Sequence, residues 1–136
     1  MKANGLTQWQ ACGITVLRVV VGIVFLMHGG QKLFIYGFGG VAGLMGQVGI
    51  PLPMVSAVVV TAVEFLGGAA LLLGVLTRVA AILLAINMLV ATVVVHLRAG
   101  FFMPGGFEYP LTLLAANVAL ALAGPVRAAM DTILDR

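Results

Sequence analysis

The chain contains very few charged residues. Only 8% of its 136 residues are Asp, Glu, Lys or Arg, whereas an ordinary soluble domain has roughly 25%. Hydrophobic residues make up 62% of the chain, and the mean hydropathy is +1.22. A chain with so little polar surface is expected to be an integral membrane protein that uses the lipid bilayer as its solvent. The net charge of +3 is small and dispersed, so nucleic acid is not an expected partner.

Cysteine is almost absent as well. The single cysteine, Cys12, cannot form a disulfide within the chain, which excludes an internal dithiol relay. The sequence contains no CxxC or CxxH metal motif, and no haem, flavin or iron–sulfur motif is visible. We therefore expect no covalent cofactor and no metal site, and we do not expect this chain to catalyse a redox reaction alone.

Long apolar segments are what the sequence does contain. Four of them approach the roughly 20 residues that a membrane-spanning helix needs, and prolines at their starts and glycines at their ends favour helices. The prediction is an all-α fold: a single membrane domain over residues 1–136, built as an antiparallel bundle of four transmembrane helices. These helices are expected at about residues 11–34, 53–76, 78–97 and 110–124.

The connections between these segments differ in length. Only "LTRV" separates the second segment from the third, which predicts a tight antiparallel hairpin. The Gly-rich "YGFGGVAGLMGQVGI" and the stretch "RAGFFMPGGFEY" are expected to be loops. Because both are apolar, they are also expected to lie in the membrane interface or to fold back over the bundle.

Basic residues at the ends of the segments predict the orientation. Four spans place both termini and the "LTRV" turn on one side, with four basic residues there against two on the other. This difference favours both termini in the cytoplasm of a bacterial cell, in its plasma (inner) membrane. Arg18 interrupts the first segment and no good cleavage site follows it, so this segment is expected to remain as a helix. The residues counted are Lys2, Arg78, Arg127 and Arg136 on the inner side, and Lys32 and Arg98 on the outer side.

Small residues recur every four positions in several segments, and such a pattern lets helices approach closely in lipid. The clearest series runs through Ala115, Ala119 and Ala123. Ala and Gly are common in membrane helices, which by itself accounts for part of the pattern. The repeats nevertheless favour a compact bundle.

Polar residues near the middle of each segment are the main indication of function, because ionisable groups within a membrane are costly. Glu64 lies roughly 17 Å from either end of its segment at 1.5 Å per residue, and its helical face carries mostly small residues. Asn87 and Asn117 lie near the middle of the next two segments, and Arg18 can extend toward Glu64. These residues predict a polar interior at mid-membrane.

A second polar layer is expected closer to the outer side. The apolar run "VFLMHGGQKLF" carries His28, Gln31 and Lys32, with His28 and Lys32 one turn apart on one face. His96 and Glu108, together with Arg98 and Tyr109, reach the same layer from later segments. Asn87 and His96 are nine residues apart, which is half a turn round an α-helix, so both can face inward only if the helix ends before His96.

Each of these residues also has a structural interpretation. Lys32 and Tyr109 near span ends are common interface anchors, and the two asparagines can serve as hydrogen bonds between helices. Glu64 can form a buried pair with Arg18, or it can be a lone neutral carboxylic acid, which the sequence favours. His28 and His96 without a nearby second carboxylate make a poor metal site.

Several motifs together resemble the DoxX family of small four-helix bacterial membrane proteins. They are His-Gly-x-x-Lys at residues 28–32, Glu64 before two glycines, Leu-Thr-Arg at residues 76–78 and Gly-Gly-x-Glu-Tyr-Pro at residues 105–110. The resemblance covers residues 17–131. It implies a four-helix membrane fold and a link to thiosulfate:quinone oxidoreductase, to quinone or electrophile resistance, or to oxidative-stress complexes with partner enzymes.

The chemistry of the polar residues agrees with such a role. A quinone needs an apolar site in the membrane and groups that bond its carbonyls and exchange protons. We expect a quinone or similar molecule to bind His28, Lys32, Glu64, His96 and Glu108, with Arg18, Asn87 and Asn117 as a supporting interior. The chain is then at most a subunit acting with soluble or membrane redox enzymes, and it can form homo-oligomers. Two alternatives stay open: a small proton-coupled carrier, or a membrane scaffold or assembly factor with a purely structural polar interior.

Overall fold

The fold is all-α. A computed structural model describes residues 6–126 and 129–134 of the chain, and these residues contain helices and connections but no strand. The helices are, in order, α1 (Gln8–Gln31), a first π-helical segment (Lys32–Tyr36), α2 (Gly37–Gln47), α3 (Pro53–Leu73), α4 (Thr77–Val90), a second π-helical segment (Ala91–His96), a 3₁₀ turn (Leu97–Ala99), α5 (Glu108–Ala123) and the short α6 (Asp131–Leu134).

Helix α1 begins at a reciprocal cap. The Thr7 hydroxyl accepts a hydrogen bond from the backbone N–H of Gln10, whose side-chain oxygen accepts one from the N–H of Thr7. This capping box satisfies two of the N–H groups that a helix start leaves unpaired. The helix therefore begins three residues before the predicted residue 11, and it continues through the first π-helical segment to Tyr36.

The Gly-rich stretch after α1 is a helix, so its prediction as a loop is wrong. At Gly37 φ is 65°, a conformation that glycine adopts without strain, and the chain turns there into α2. Glycine disfavours a helix by about 1 kcal/mol, but unpaired peptide groups in apolar surroundings cost several kcal/mol each. A helix is therefore the better solution for this apolar stretch, and α2 folds back against α3, as its apolar character predicted.

Helices α3 and α4 form the tight hairpin predicted from "LTRV". Pro53 occupies the first turn of α3, and Gly74 ends the helix in the left-handed conformation at φ 71°. Leu76 has φ 48° and precedes α4 without capping it by its own side chain. The cap comes from Asp131 instead, as its carboxylate accepts hydrogen bonds from the backbone N–H groups of Leu76 and Thr77.

Helix α5, with 16 residues, is shorter than the three helical stretches that are long enough to cross a bilayer. It begins at Glu108, two residues before the predicted start, and Pro110 lies in its first turn, where a missing N–H leaves no gap in the helix. It ends at Ala123, followed by Gly124 at φ 70°. The preceding stretch from Gly100 to Phe107 is a loop, as predicted.

Close helix packing occurs between α1 and α3 and depends on glycine. A Cβ atom added to Gly29 would lie 2.4 Å from the backbone nitrogen of Phe65, and one on Gly68 would lie 2.3 Å from the backbone nitrogen of Leu26. The predicted packing role of the alanine series in α5 is wrong, because Ala115 and Ala119 are exposed. Backbone contact needs glycine, which has no side chain to separate the helices.

The distribution of apolar surface is that of a membrane protein. Three helical stretches, Gln8–Gln47, Pro53–Leu73 and Thr77–Ala99, are long and apolar enough to cross a bilayer, and Glu108–Ala123 is a shorter apolar helix. Inside the bundle, Phe25, Leu71, Leu84 and Leu120 are buried. Many large apolar side chains face outward, as expected where lipid is the solvent.

Candidate functional site

The centre of the candidate site is the carboxylate of Glu64, halfway along α3. Lys32 Nζ lies 2.5 Å from Glu64 Oε2 and forms a salt bridge, and the Asn87 amide donates a hydrogen bond of 2.9 Å to Oε1. The Glu64 side chain is 5% exposed, and that of Lys32 is 21% exposed. Each carboxylate oxygen thus has a donor from a different helical element, so the favoured prediction of a lone carboxylic acid is wrong.

Arg18 does not pair with Glu64, so the alternative prediction of a buried Arg18–Glu64 pair is wrong as well. Its guanidinium donates hydrogen bonds to the backbone carbonyls of Leu71 and Leu72, at 2.5 and 3.3 Å. These carbonyls belong to the last turn of α3, whose final carbonyl groups lack partners within the helix. Arg18 is therefore a buried residue that closes the far end of the α1–α3 pair, two turns of α3 away from Glu64.

The two polar layers predicted from the sequence are consequently regrouped. Glu64 and Asn87 belong with Lys32, and Arg18 lies apart from them at the level of Leu71. The end of α1 lies beside the middle of α3. Lys32, which follows α1, is therefore at the same depth in the bundle as Glu64. The lengths of the two helices do not by themselves predict how they are aligned along the bundle.

Asn87 and His96 both face the site, and a change of helix type makes this possible. From Ala91 to His96 the chain forms i→i+5 hydrogen bonds, which put more residues into each turn than an α-helix holds. The half-turn separation expected from α-helical geometry therefore does not apply. His96 Nδ1 lies 2.7 Å from the carbonyl oxygen of Gly105, so Nδ1 carries a proton that it donates to this carbonyl.

His28 meets the site from α1. Its ring centroid lies 6.1 Å from that of Tyr109 in α5, with the ring planes tilted by 37°. The π-helical segment that follows α1 begins at Lys32, so both π-helical segments of the described chain border the same site. Such segments are often found at functional sites in helical proteins.

These residues enclose a cavity of about 450 Å³, a volume within the range of small-molecule sites. Its walls are mainly apolar, with Phe25, Val41, Met88 and Leu113 among them, and its polar groups are few. The predicted site residues that line it are His28, Lys32, Glu64, Asn87 and His96.

Glu108 and Asn117 do not line this cavity. Glu108 Oε1 accepts a hydrogen bond of 2.6 Å from the backbone N–H of Met103, and it thereby holds the loop from Gly100 to Phe107 against the start of α5. The Asn117 amide donates to the carbonyl of Leu113 within α5. Glu108 therefore positions the loop whose residues Met103 and Gly105 line the cavity, and the structure does not place it beside a ligand.

Four polar residues of the cavity were not identified as site residues from the sequence. Gln31 follows His28 by three residues, and this spacing places both on adjoining parts of one helix face. The position of Tyr109 near a span end indicates an interface anchor, although Tyr109 directly follows Glu108 in a conspicuous motif. Gln47 and Tyr36 lie in the Gly-rich stretch, for which the sequence predicts a loop and therefore no fixed position for either side chain. The four residues are Gln31, Tyr36, Gln47 and Tyr109.

The donor set can be compared with possible bound groups. Within residues 6–126 and 129–134, no three His, Cys, Asp or Glu side chains cluster as metal ligands would. Hydrogen-bond donors are plentiful by contrast: the Lys32 ammonium, the Asn87 amide and two imidazoles face apolar walls. This set suits a mainly apolar molecule that carries hydrogen-bond acceptors.

A small helical bundle with a mainly apolar cavity that carries a few polar side chains defines a class of membrane protein rather than a single activity. Comparison with known families is specific: the DoxX family matches residues 13–97, more than half of the chain. The chain belongs to the DoxX family.

Individual relatives cover most of the chain. It is 35% identical to a Bacillus subtilis (strain 168) protein named "Putative oxidoreductase CatD", over 88% of this chain and 84% of that protein. It is also 35% identical to "Uncharacterized membrane protein Rv3486" of Mycobacterium tuberculosis, over 90% of this chain and 82% of that protein. The Escherichia coli (strain K12) "Inner membrane protein YqjF" is 31% identical over 91% of this chain and 93% of its own length. No solved structure matches the chain significantly.

Proposed function

We propose that this chain is an inner-membrane subunit that binds a quinone, or a lipophilic redox molecule of the same chemistry, in the cavity around Lys32 and Glu64. The observation that carries the proposal is the combination of apolar walls with several proton-bearing side chains in one cavity of a membrane protein. A quinone is a flat apolar ring with two carbonyl acceptors, and it partitions into the bilayer from which such a cavity is filled.

The side chains suit the two forms of the ligand. Quinone carbonyls accept hydrogen bonds, and Lys32, Asn87 and the imidazole of His28 can donate them. Reduction to the quinol takes up two electrons and two protons. The chain supplies proton-exchanging groups in His28 and His96, and the electrons come from a partner redox enzyme.

The salt bridge has a defined part in this proposal. The salt bridge to Glu64 fixes the Lys32 ammonium in position before a ligand binds. The entropy cost of ordering this flexible side chain is therefore part of folding and does not reduce the affinity for the ligand. A carbonyl or a developing oxyanion beside Lys32 would gain a charge-assisted hydrogen bond, which is stronger than a neutral one. Such a bond favours a ligand oxygen that gains negative charge before it is protonated, and this supports a role in redox chemistry.

The relatives support the same direction. The Bacillus relative carries an oxidoreductase name, and the E. coli relative is named as an inner membrane protein.

The helix packing below the cavity favours ligand binding over transport through the bundle. There α1 and α3 touch backbone to backbone near Gly22 and Gly68, which leaves no path between these two helices.

The test is binding of menadione, a quinone without a tail, to the purified protein in detergent, measured by difference absorbance. His28→Ala should lower the affinity by about 5- to 150-fold, equivalent to the 1–3 kcal/mol that it costs to leave a quinone carbonyl in the cavity without its hydrogen-bond donor. Arg98→Ala is the matched control, because Arg98 is an exposed basic residue near His96 that does not line the cavity. Menadione that fails to bind, or that binds His28→Ala as well as the native protein, contradicts the proposal.

Analysis of the lipid that purifies with the protein separates the remaining alternatives. A stoichiometric quinone in the extract supports the proposal. A chain that retains no small molecule and binds no menadione is better described as a scaffold, in which the ion pair only fixes how α1 packs on α3. Menadione-independent proton uptake in vesicles would favour the carrier.

A further inference from the structure

A second concave surface lies on the outer face of α1. This groove encloses about 630 Å³, and its floor is formed by Gly30 with Leu26, Met27, Phe34 and Ile35 beside it and Phe65 of α3 at its edge. Met27 is 68% exposed and Phe34 is 76% exposed, so the groove faces the surroundings of the bundle. In a membrane protein, the molecules available to fill such an apolar groove are lipid-soluble.

The groove and the cavity have two residues in common. His28 and Gln31 line both of them, and they lie three residues apart on α1. At 100° per residue, this places them on the part of the helix surface between the cavity-facing side and the outer side. The groove therefore begins where the cavity ends.

The two sides of α1 differ in how easily an opening to the cavity can form. On the α3 side of α1, the two helices pack backbone to backbone at Gly29 and Gly68, so no opening can form there without separating the helices. On the α5 side, the ring centroids of His28 and Tyr109 lie 6.1 Å apart, and both residues are exposed, Tyr109 by 38%. Rotation of exposed side chains takes picoseconds to nanoseconds, whereas movement of helices is far slower.

We propose that the ligand enters sideways from the bilayer between His28 and Tyr109, with its ring in the cavity and a long apolar tail in the groove over Gly30. The substrate class is then a tailed, isoprenoid-type quinone rather than a small water-soluble one. This inference rests on the proposed function, since it takes the cavity as the site of the quinone ring.

Gly30 provides a direct way to fill the groove. A Cβ atom at this position would find its nearest neighbour at 3.8 Å, in the ring of Phe65, so a side chain can be added without a clash with backbone. Gly30 does not line the cavity. Gly30→Phe should therefore occupy the groove and leave the binding site of the ring intact. Gly13→Phe is the matched control, because Gly13 lies exposed on the same helix with no atom within 4 Å of an added Cβ.

The experiment compares menadione with a menaquinone of four isoprene units for each variant, in vesicles, with concentrations expressed per lipid. Gly30→Phe should weaken the tailed quinone at least tenfold and leave menadione within twofold of the native protein. Gly13→Phe should change neither. A tailed quinone that binds Gly30→Phe and the native protein equally well overturns the inference while the proposed function stands; if the native protein binds neither quinone, both are wrong.

Photolabelling gives a second readout that does not depend on affinity. A quinone with a photoreactive group at the end of its tail should label the peptide that contains Met27 and Phe34, and excess unlabelled tailed quinone should abolish the labelling. Labelling of the loop from Gly100 to Phe107 instead would place the tail on the other side of the cavity. Labelling that excess quinone does not reduce would show only lipid-like contact, and either result contradicts the groove as the tail site.

Discussion

Lys32 Nζ and Glu64 Oε2 lie 2.5 Å apart and join the first π-helical segment to the middle of α3. The Glu64 carboxylate is nearly inaccessible, and Asn87 binds its second oxygen. In surroundings of low polarity each charge stabilises the other, and removal of one leaves the other without compensation. This pair is therefore both a structural contact between helices and the most polar part of the candidate site.

The first prediction concerns this pair. Glu64→Gln leaves the Lys32 ammonium without its counter-charge and should reduce the free energy of unfolding by about 3 kcal/mol, the lower end of the range for a broken buried pair, because Lys32 is partly accessible. Lys32→Gln should be similarly harmful, and the double variant Lys32→Gln, Glu64→Gln should recover much of the loss. Detergent-titrated unfolding of the four proteins measures the coupling.

Arg18 supplies the control for this cycle. Since Arg18 binds carbonyls of α3 and not Glu64, the losses caused by Arg18→Gln and Glu64→Gln should add to within about 0.5 kcal/mol. A strong coupling between Arg18 and Glu64, with none between Lys32 and Glu64, would mean that the ion pair is assigned to the wrong cation.

The second prediction concerns the contact between α1 and α3. Gly29→Ala brings a methyl group to within 2.4 Å of the Phe65 backbone, so the helices must separate, and we expect a loss of about 1–3 kcal/mol. Gly13→Ala is the control on the same helix, where the added methyl meets nothing and should stabilise the helix by up to about 1 kcal/mol. Equal unfolding free energies for the two variants would contradict the close packing.

The third prediction concerns Asp131, which lies outside the membrane-spanning helices. Its carboxylate accepts hydrogen bonds of 2.8 Å from the Leu76 N–H and of 2.9 Å from the Thr77 N–H and hydroxyl. Burial raises the pKa of the Asp131 carboxyl, but these bonds and the charge of Arg18 outweigh it and leave the pKa below its usual value of 3.8. Asp131→Ala removes the cap of α4 and should cost about 0.5–2 kcal/mol at neutral pH.

The pH dependence of this contribution has a definite sign. A carboxyl whose pKa is lowered by folding contributes its full stabilisation above the pKa of the unfolded chain, about 3.9, and loses it as the pH falls through the folded value. The difference in unfolding temperature between the native protein and Asp131→Ala should thus be constant above about pH 5 and shrink below about pH 4. A difference that persists unchanged to pH 3 would show that the contribution does not depend on the charge.

The fourth prediction is the orientation in the membrane. The two ends of the described chain lie at the same end of the bundle as the α3–α4 turn, to which Asp131 binds, and the basic residues favour the cytoplasm for that end. Of the basic residues counted, Lys2, Arg127 and Arg136 lie outside the described residues, and Lys32 belongs to the cavity. In a Cys12→Ser background, an impermeant maleimide should label Phe102→Cys and not Trp9→Cys in intact cells; both side chains are well exposed. The reverse labelling pattern would invert the orientation.

Much of the architecture could be predicted from local sequence patterns. Apolar segments of membrane length, with Pro53 at one start and Gly124 after one end, indicated the helical bundle and the short hairpin. The helical face of Glu64 indicated that its side chain points inward, and it does. Local patterns succeed here because the bilayer requires every backbone group to be paired within its own segment, which leaves the helix as the natural solution.

The sequence by itself determined that this is a helical membrane protein of the DoxX type with ionisable groups inside its bundle. Only the tertiary structure decided that Glu64 pairs with Lys32 rather than Arg18, because the depth at which two antiparallel helices align depends on the glycine contacts between them. It also decided that Asn87 and His96 face one cavity, since a π-helical turn alters the direction of every later side chain. The pattern of apolar and polar residues in this segment does not distinguish such a turn from a continuous α-helix.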